Sequence, residues 1–217
     1  MTKVFLIAGM GADTRIYNRI DIPDIYEVVP VDWIEPHETD TLTTYAQKLI
    51  YQYNITGKSI VIGNSLGGML AIEIAKKIDL QKTILISSIK TINEAPFYFK
   101  LFRAIPVYKI FTDKMLDLIK YFIIPVLGIR NKEENWLFKD MFDGTSRKFL
   151  RWSMEAVVNW DNKIVPANVY HISGDKDMVF NYKRLKSATI VKGGTHLMVF
   201  DMAKQINKWL KPILKKK

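Results

Sequence analysis

Cysteine is absent from all 217 residues of the sequence, which excludes disulfides, thiolate metal sites and a cysteine nucleophile. Histidine is scarce, with three copies, so few side chains can serve as a general base near neutral pH. The apolar run from Lys3 to Ala8 is too short for a signal sequence or a membrane span. We therefore expect a cytoplasmic protein without stable membrane insertion.

The bulk composition indicates a globular protein with a sizeable core. Hydrophobic residues make up 48% and charged residues 25% of the chain, which fits one domain or one domain with a modest insertion. The formal net charge is +10, but the lysines are spread out and the only dense run is Lys211 to Lys217. No nucleic-acid recognition module is visible, so we expect no nucleic-acid partner. An anionic substrate or a membrane surface stays possible, and the oligomeric state is not set by the sequence.

Strand-like and helix-like segments alternate along the chain. The predicted strands are Lys3 to Ala8, Tyr26 to Trp33, Lys58 to Gly63, Thr83 to Ser87, Asn168 to Ser173 and Ala188 to Lys192. The predicted helices are Thr41 to Tyr53, Gly68 to Ile78 and Met198 to Leu210. This alternation predicts an α/β fold with a mostly parallel, doubly wound sheet of about six strands. Ligands of such sheets bind beyond the carboxyl ends of the strands.

One segment interrupts the alternation. From about Lys90 to Lys163 the sequence has no good strand but several amphipathic, aromatic-rich stretches, punctuated by Pro96, Pro106, Pro125 and Gly128. We predict a helical cap over the site, with residues 90–163 as the insertion and residues 1–89 and 164–217 as the core. Most of the aromatic side chains are expected to pack inside this cap segment, while a few line an apolar pocket.

The most informative motif follows the third predicted strand. Positions 63–68 read Gly-Asn-Ser-Leu-Gly-Gly and lead directly into a predicted helix. A strand, a Gly-x-Ser-x-Gly turn and a helix are typical of a nucleophile elbow, which holds the serine hydroxyl exposed at a strained tip. The alternative is a glycine-rich turn that only packs or binds phosphate.

A serine nucleophile needs a base within hydrogen-bond reach. His37 lies in a polar loop, and His171 lies inside an apolar run, where we expect a satisfied sheet residue. His196 follows the last strand, at the same predicted edge as Ser65. It is therefore the preferred base.

The base in turn needs an acid that fixes its tautomer. Asp175 and Asp177 both follow the fifth strand, and either could instead be a turn former. The order of a serine, an aspartate and then a histidine along the chain is that of serine hydrolases built on an α/β sheet.

These motifs and the strand order, which together span nearly the whole chain, resemble the α/β-hydrolase fold superfamily. The acid of that family stands in a Gly-x-x-Asp pattern, which matches positions 174–177 and selects Asp177, and its histidine loop matches positions 193–196. The resemblance implies a catalytic triad of Ser65, Asp177 and His196, and a strand order of 2-1-3-4-5-6. It also implies a version trimmed at the N-terminus, because two further strands commonly precede the first one of this chain.

The resemblance also implies an oxyanion hole made by the backbone N–H groups of Met10 and Leu66. Two departures stand out. Ala8 and Gly9 occupy places where family members often carry His-Gly, and Asn64 stands where histidine is frequent.

The implied activity is that of a serine hydrolase, a carboxylesterase that cleaves a carboxylic ester or related acyl bond of a small to medium apolar substrate. The resemblance implies no cofactor and no metal. Ser65 at the nucleophile position argues against dehalogenase, epoxide-hydrolase and dienelactone-hydrolase chemistry. Two alternatives remain. One is a lyase on the same triad, similar to hydroxynitrile lyases or a menaquinone-pathway lyase, and the other is a non-enzymatic module that binds a small molecule.

Overall fold

The computed structural model of the chain describes residues 1–129 and 131–215. Its strands are β1 (Thr2–Ile7), β2 (Tyr26–Val31), β3 (Ile60–Asn64), β4 (Lys82–Ile86), β5 (Val169–Gly174) and β6 (Thr189–Val191). They form one sheet in the order β2-β1-β3-β4-β5-β6, and every neighbouring pair is parallel. The predicted fold class and strand order are confirmed.

Helices cover both faces of this sheet. On one face lie α1 (Leu42–Tyr53) and α2 (Leu66–Ala75), and on the other lies α8 (Ala203–Lys215). Successive residues of a strand point to opposite faces, so Phe5 belongs to the apolar cluster beneath α1 while Leu6 belongs to the cluster beneath α8. All residues of β3 and β4 are buried, which explains why these two strands are almost continuously apolar in sequence.

The sequence predicts one C-terminal helix from Met198 to Leu210, but the structure has two helices there. A short helix α7 (Met198–Asp201) precedes α8, and α8 continues through Pro212 to Lys215. A proline inside a helix removes one backbone donor. The loss is tolerated because Ile213 and Leu214 remain buried against the sheet, so apolar packing holds the last turn.

In the described part of the cap segment, four α-helices and two short 3-10 helices lie between β4 and β5. The α-helices are α3 (Phe97–Ala104), α4 (Asp113–Leu127), α5 (Lys132–Gly144) and α6 (Arg147–Asn159). Pro125, expected to break a helix, lies inside α4, whose end is set by Gly128 in the left-handed conformation at φ 80°. That the cap segment is a structural unit with bounds at 90 and 163 stays a prediction.

The expectation that most aromatic side chains of the cap segment pack inside it is wrong. Phe149 and Trp152 of α6 join the core cluster beneath α1, where they contact the ring of Tyr45. Phe138 and Phe142 of α5 form a small separate cluster. Others face solvent, namely Phe97, Tyr121, Phe122 and Trp136. A helix pattern shows which residues share a face, but only the tertiary contacts decide which face is buried.

Candidate active site

Ser65 lies at a sharp turn between β3 and α2. Its backbone has φ 52° and ψ −116°, a conformation that non-glycine residues rarely adopt and that costs on the order of 1–3 kcal/mol. Two contacts, one with the last residue of β4 and one with the segment that follows it, hold Ser65 there. The Ser65 N–H donates to the Ile86 carbonyl at 3.1 Å, and the Ser88 hydroxyl donates to the Ser65 carbonyl at 2.7 Å. The strained turn is therefore fixed by its neighbours.

The glycines on either side of Ser65 are required by space. A Cβ atom on Gly63 would lie against the carbonyl oxygen of Gly67, and one on Gly67 would lie against the carbonyl oxygen of Ile7. Both contacts would be far closer than van der Waals distance and would involve rigid backbone. The two glycines let α2 start directly above β1 and β3, and this position fixes where the serine points.

The structure brings Ser65, His196 and Asp177 into one hydrogen-bonded chain. His196 Nε2 is 2.9 Å from Ser65 Oγ, and His196 Nδ1 is 2.9 Å from Asp177 Oδ2. Asp177 Oδ1 accepts the backbone N–H groups of Val179 at 2.8 Å and Phe180 at 2.9 Å. A carboxylate can only accept, so Nδ1 carries the proton and Nε2 is free to accept from the serine hydroxyl.

Asp175 has a different partner. Its Oδ1 accepts the N–H of Gly193 at 2.6 Å, so its carboxylate ties the turn after β5 to the loop that carries His196. Between the two candidate acids, the geometry thus places Asp177 beside the imidazole and Asp175 behind the loop.

The other two histidines lie apart from this arrangement. His37 is exposed, and its backbone N–H donates to Asp40 Oδ2 at 2.7 Å. His171 is a buried residue of β5, but the expectation that it is satisfied is wrong, because neither ring nitrogen has a hydrogen-bond partner among the described residues. Burial, together with the nearby charge of Lys90, lowers the pKa of His171 to about 3. The Ser88 backbone and Asp177 act in the opposite direction, although no contact of Ser88 with the ring has hydrogen-bond geometry.

His171 should make the protein sensitive to mild acid. Its pKa is lowered from 6.5 to about 3 on folding, so the unfolded chain binds a proton that the folded protein refuses. The contribution of neutral His171 to the free energy of unfolding is fully present above about pH 6.5 and is lost as the pH falls towards 3. We expect the free energy of unfolding to fall between about pH 7 and pH 5 by roughly 1–2 kcal/mol more for the native chain than for His171→Leu. Urea titrations at both pH values measure this difference, and equal losses would contradict it.

Met10 and Leu66 both line the cavity into which Ser65 and His196 open. Leu66 is the first residue of α2, so its N–H has no partner within the helix. The loop that carries Met10 is braced from below, where the Tyr17 hydroxyl donates to the Ile7 carbonyl at 2.8 Å and Trp33 Nε1 donates to the Ala12 carbonyl at 2.8 Å. The oxyanion role of these two N–H groups stays a prediction.

The cavity beside Ser65 has a volume of about 540 Å³ and a nearly apolar wall. The cap segment supplies most of this wall, through side chains such as Phe102, Ile119, Ile123 and Met154. The described wall contains no Asp, Glu, Lys or Arg side chain, and its one histidine is His196. The wall therefore favours an uncharged ligand, because a charge loses its hydration on entering an apolar cavity.

Two hydrogen bonds join the cap segment to the loops of the acid and the histidine. The Tyr98 hydroxyl donates to the carbonyl of Val179 at 2.8 Å, and the N–H of Leu197 donates to the carbonyl of Leu127 at 3.2 Å. Sequence reasoning missed Tyr98 and also Ser88. The adjacent serines at the end of β4 were a possible signal for Ser88, since that strand ends at the same edge as β3.

No group of three His, Asp or Glu side chains within residues 1–129 and 131–215 is arranged to hold a metal ion. The same part of the chain contains no helix long and apolar enough to cross a bilayer.

Comparison with solved structures identifies the fold class. Similar structures include a thermophilic esterase from Thermogutta terrifontis (TM-score 0.75, 17% identity), a hydrolase from Pseudomonas aeruginosa (0.78, 16%) and an esterase from Exiguobacterium antarcticum (0.75, 18%). The alignments cover 99%, 99% and 100% of this chain and 91%, 90% and 92% of those chains. No protein-family model and no curated protein matches the sequence. The chain has the α/β-hydrolase fold, and at these identities the similarity extends to the fold alone.

Proposed function

We propose that the protein is a serine hydrolase, a carboxylesterase that uses Ser65, His196 and Asp177 as a catalytic triad. The observation that carries this proposal is the pair of 2.9 Å contacts from His196 to Ser65 Oγ and to Asp177 Oδ2. The chain of contacts ends on a hydroxyl that opens into an apolar cavity. A base and an orienting acid at these distances are what a serine needs to act as a nucleophile at neutral pH.

In the acylation step, Ser65 Oγ attacks the ester carbonyl while His196 Nε2 takes the hydroxyl proton. Asp177 stabilises the imidazolium that forms. The negative oxygen of the tetrahedral intermediate is placed at the N–H groups of Met10 and Leu66, and one such donor contributes about 2.7–4 kcal/mol to lowering the barrier. His196 then gives its proton to the departing alkoxide, and the alcohol leaves the acyl-enzyme.

Deacylation repeats the same proton movements with water. His196 takes a proton from a water molecule, the resulting nucleophile attacks the acyl carbonyl, and the proton passes to Ser65 Oγ as the carboxylic acid is released. Each residue returns to its starting state.

The substrate that the cavity supports best is an uncharged ester with an apolar acyl or alcohol group. The wall of the described cavity is mostly apolar, and its polar side chains are those of Ser65, Asn64, Tyr98, Tyr108 and His196. A carboxylate on the substrate would meet no cation there, since His196 is committed to Asp177.

A fluorophosphonate probe followed by peptide mapping tests the nucleophile, and matched esters test the substrate class. We expect a single adduct on Ser65 and turnover of 4-nitrophenyl valerate with a kcat/KM at least about 100-fold above that of the 4-nitrophenyl monoester of succinate. The two acyl groups have similar size and differ in charge.

Two results would contradict the proposal. An adduct at another residue, or none in folded protein, removes Ser65 as the nucleophile. Labelling of Ser65 without measurable turnover of any activated ester favours instead a lyase or a binding module on the same residues.

A further inference from the structure

Exposed apolar side chains are concentrated in one part of the cap segment. Half of the 18 large apolar residues that face solvent in the described chain fall between positions 97 and 122. We call these nine the cap face, and they are Phe97, Leu101, Ile105, Val107, Ile110, Met115, Leu118, Tyr121 and Phe122. Soluble monomers rarely expose so many apolar groups together, and such patches mark interaction surfaces.

The cap face follows helical spacing. Phe97 and Leu101 of α3 lie four residues apart, and Ile105 ends the same row. Met115, Leu118 and Phe122 of α4 are spaced by three and four residues, so they too share one side of their helix. Leu116 and Leu127 are instead buried. Both helices thus carry exposed apolar side chains, which leaves an apolar stripe on each of them facing solvent.

The charges around the cap face are mostly positive. Residues 97–127 contain five basic and two acidic side chains. The two acids are engaged within the fold, since Asp113 pairs with Arg151 and Asp117 pairs with Arg147, each at 2.6 Å.

Two of the lysines on these helices are left uncompensated. Lys100 precedes Leu101, and Lys114 lies one turn before Leu118. Both are exposed, and neither has an ion-pair partner among residues 1–129 and 131–215. The cap face therefore combines apolar stripes with free cations.

The cap face is continuous with the cavity beside Ser65. Val107 and Phe122 line that cavity and yet are 39% and 75% exposed. Two residues that belong to both surfaces show that the apolar wall of the cavity reaches solvent at the cap face. A molecule held against the cap face would meet the opening of the cavity.

We propose that the cap face docks on the surface of an anionic lipid bilayer, with α3 and α4 lying in the interfacial layer and the cavity opening towards the lipid. Amphipathic helices with apolar residues on one side and lysines at the rim bind in this way. A second copy of the chain fits this face less well. A two-fold contact would bring Lys100 and Lys114 of both copies together, while the two acids of residues 97–127, Asp113 and Asp117, are already paired with arginines.

Flotation with vesicles measures the docking. The full chain is mixed with vesicles made of equal parts of phosphatidylcholine and phosphatidylglycerol, or of phosphatidylcholine alone. We expect binding to the mixed vesicles that weakens as salt is added. Exchange of Lys100 and Lys114 for serine should lower the affinity by roughly 30-fold, and Leu101→Glu with Leu118→Glu should lower it by at least about tenfold per site.

Matched variants separate docking from folding and from catalysis. Ile25→Glu with Tyr51→Glu introduces the same charges at exposed positions outside the cap segment and should bind like the native chain. Leu101→Ala with Leu118→Ala retains good helix formers and should still weaken binding. The Ser65→Ala protein should bind the mixed vesicles as the native chain does. Membrane docking can therefore be tested independently of the proposed ester hydrolysis.

Several results would overturn the proposal. One is that the folded native chain does not bind the mixed vesicles. Another is that all variants bind both kinds of vesicle equally. A third is that Leu101→Glu with Leu118→Glu binds as well as the native chain. A concentration-dependent dimer that this last variant abolishes, in a chain that does not bind vesicles, would assign the cap face to a second copy instead.

Discussion

Exchange of Ser65 for alanine is expected to lower kcat for an activated ester by roughly 10⁴–10⁶-fold. The hydroxyl is the only group that the 2.9 Å contact with His196 Nε2 could activate, and its loss removes the acyl-enzyme route altogether. We expect the remaining rate to come from substrate binding and from the proposed oxyanion donors, the N–H groups of Met10 and Leu66. Alanine has the same Cβ as serine, so the strained φ of 52° costs the variant no more than it costs the native chain.

Steady-state kinetics, thermal unfolding and fluorophosphonate labelling on the same preparations measure this effect. The expected pattern is loss of turnover and of labelling with an unchanged Tm. Ser88→Ala is the matched control, because it removes a hydroxyl that supports the Ser65 carbonyl at 2.7 Å without removing the nucleophile. Its labelling should persist. Retention of more than about a tenth of the native kcat in Ser65→Ala would refute the assignment, since a triad nucleophile does not tolerate this loss.

His196→Ala should lose about as much activity as Ser65→Ala, and the double variant should lose little more. Such strong non-additivity is the signature of residues that act as one unit. Additive losses would instead indicate that the two side chains contribute separately, for example to binding.

The sheet and the turn at Ser65 could be predicted because their signals are local. The apolar residues of β3 and the two glycines at 63 and 67 are adjacent in sequence, and the close backbone contacts of those glycines leave no other residue type possible. The strand order followed from the resemblance, and the structure has the same order.

Features that depend on distant contacts could not be predicted in the same way. Pro125 reads as a helix breaker, yet α4 extends past it to Leu127 and ends at Gly128, which adopts the left-handed conformation. The apolar pattern of α4 shows that Leu118 and Phe122 share a side but not that this side lacks a partner. Likewise, an apolar run around His171 indicates burial, whereas the missing partners of its ring depend on the strands that flank it.

The choice between the two aspartates is decided by which change disables the imidazole. In Asp177→Asn, the amide would present an N–H group to His196 Nδ1, now 2.9 Å from a carboxylate oxygen. The imidazole would then place its proton on Nε2, where it can no longer accept from Ser65. We expect kcat to fall by roughly 10⁴-fold, the loss known for this tautomer change in a serine protease.

Asp175→Asn should behave differently, although it neutralises an equal charge two residues away. Its amide oxygen can still accept the Gly193 N–H that the carboxylate accepts at 2.6 Å, so the loop that carries His196 keeps its support. We expect a loss of kcat/KM of less than about tenfold and a small decrease in Tm, since one charge-assisted hydrogen bond becomes neutral. In Asp177→Asn the amide oxygen can likewise still accept from Val179 and Phe180, so its fold should persist. A larger loss of kcat/KM in Asp175→Asn than in Asp177→Asn would show that the charge behind the loop, and not the contact with Nδ1, controls the histidine.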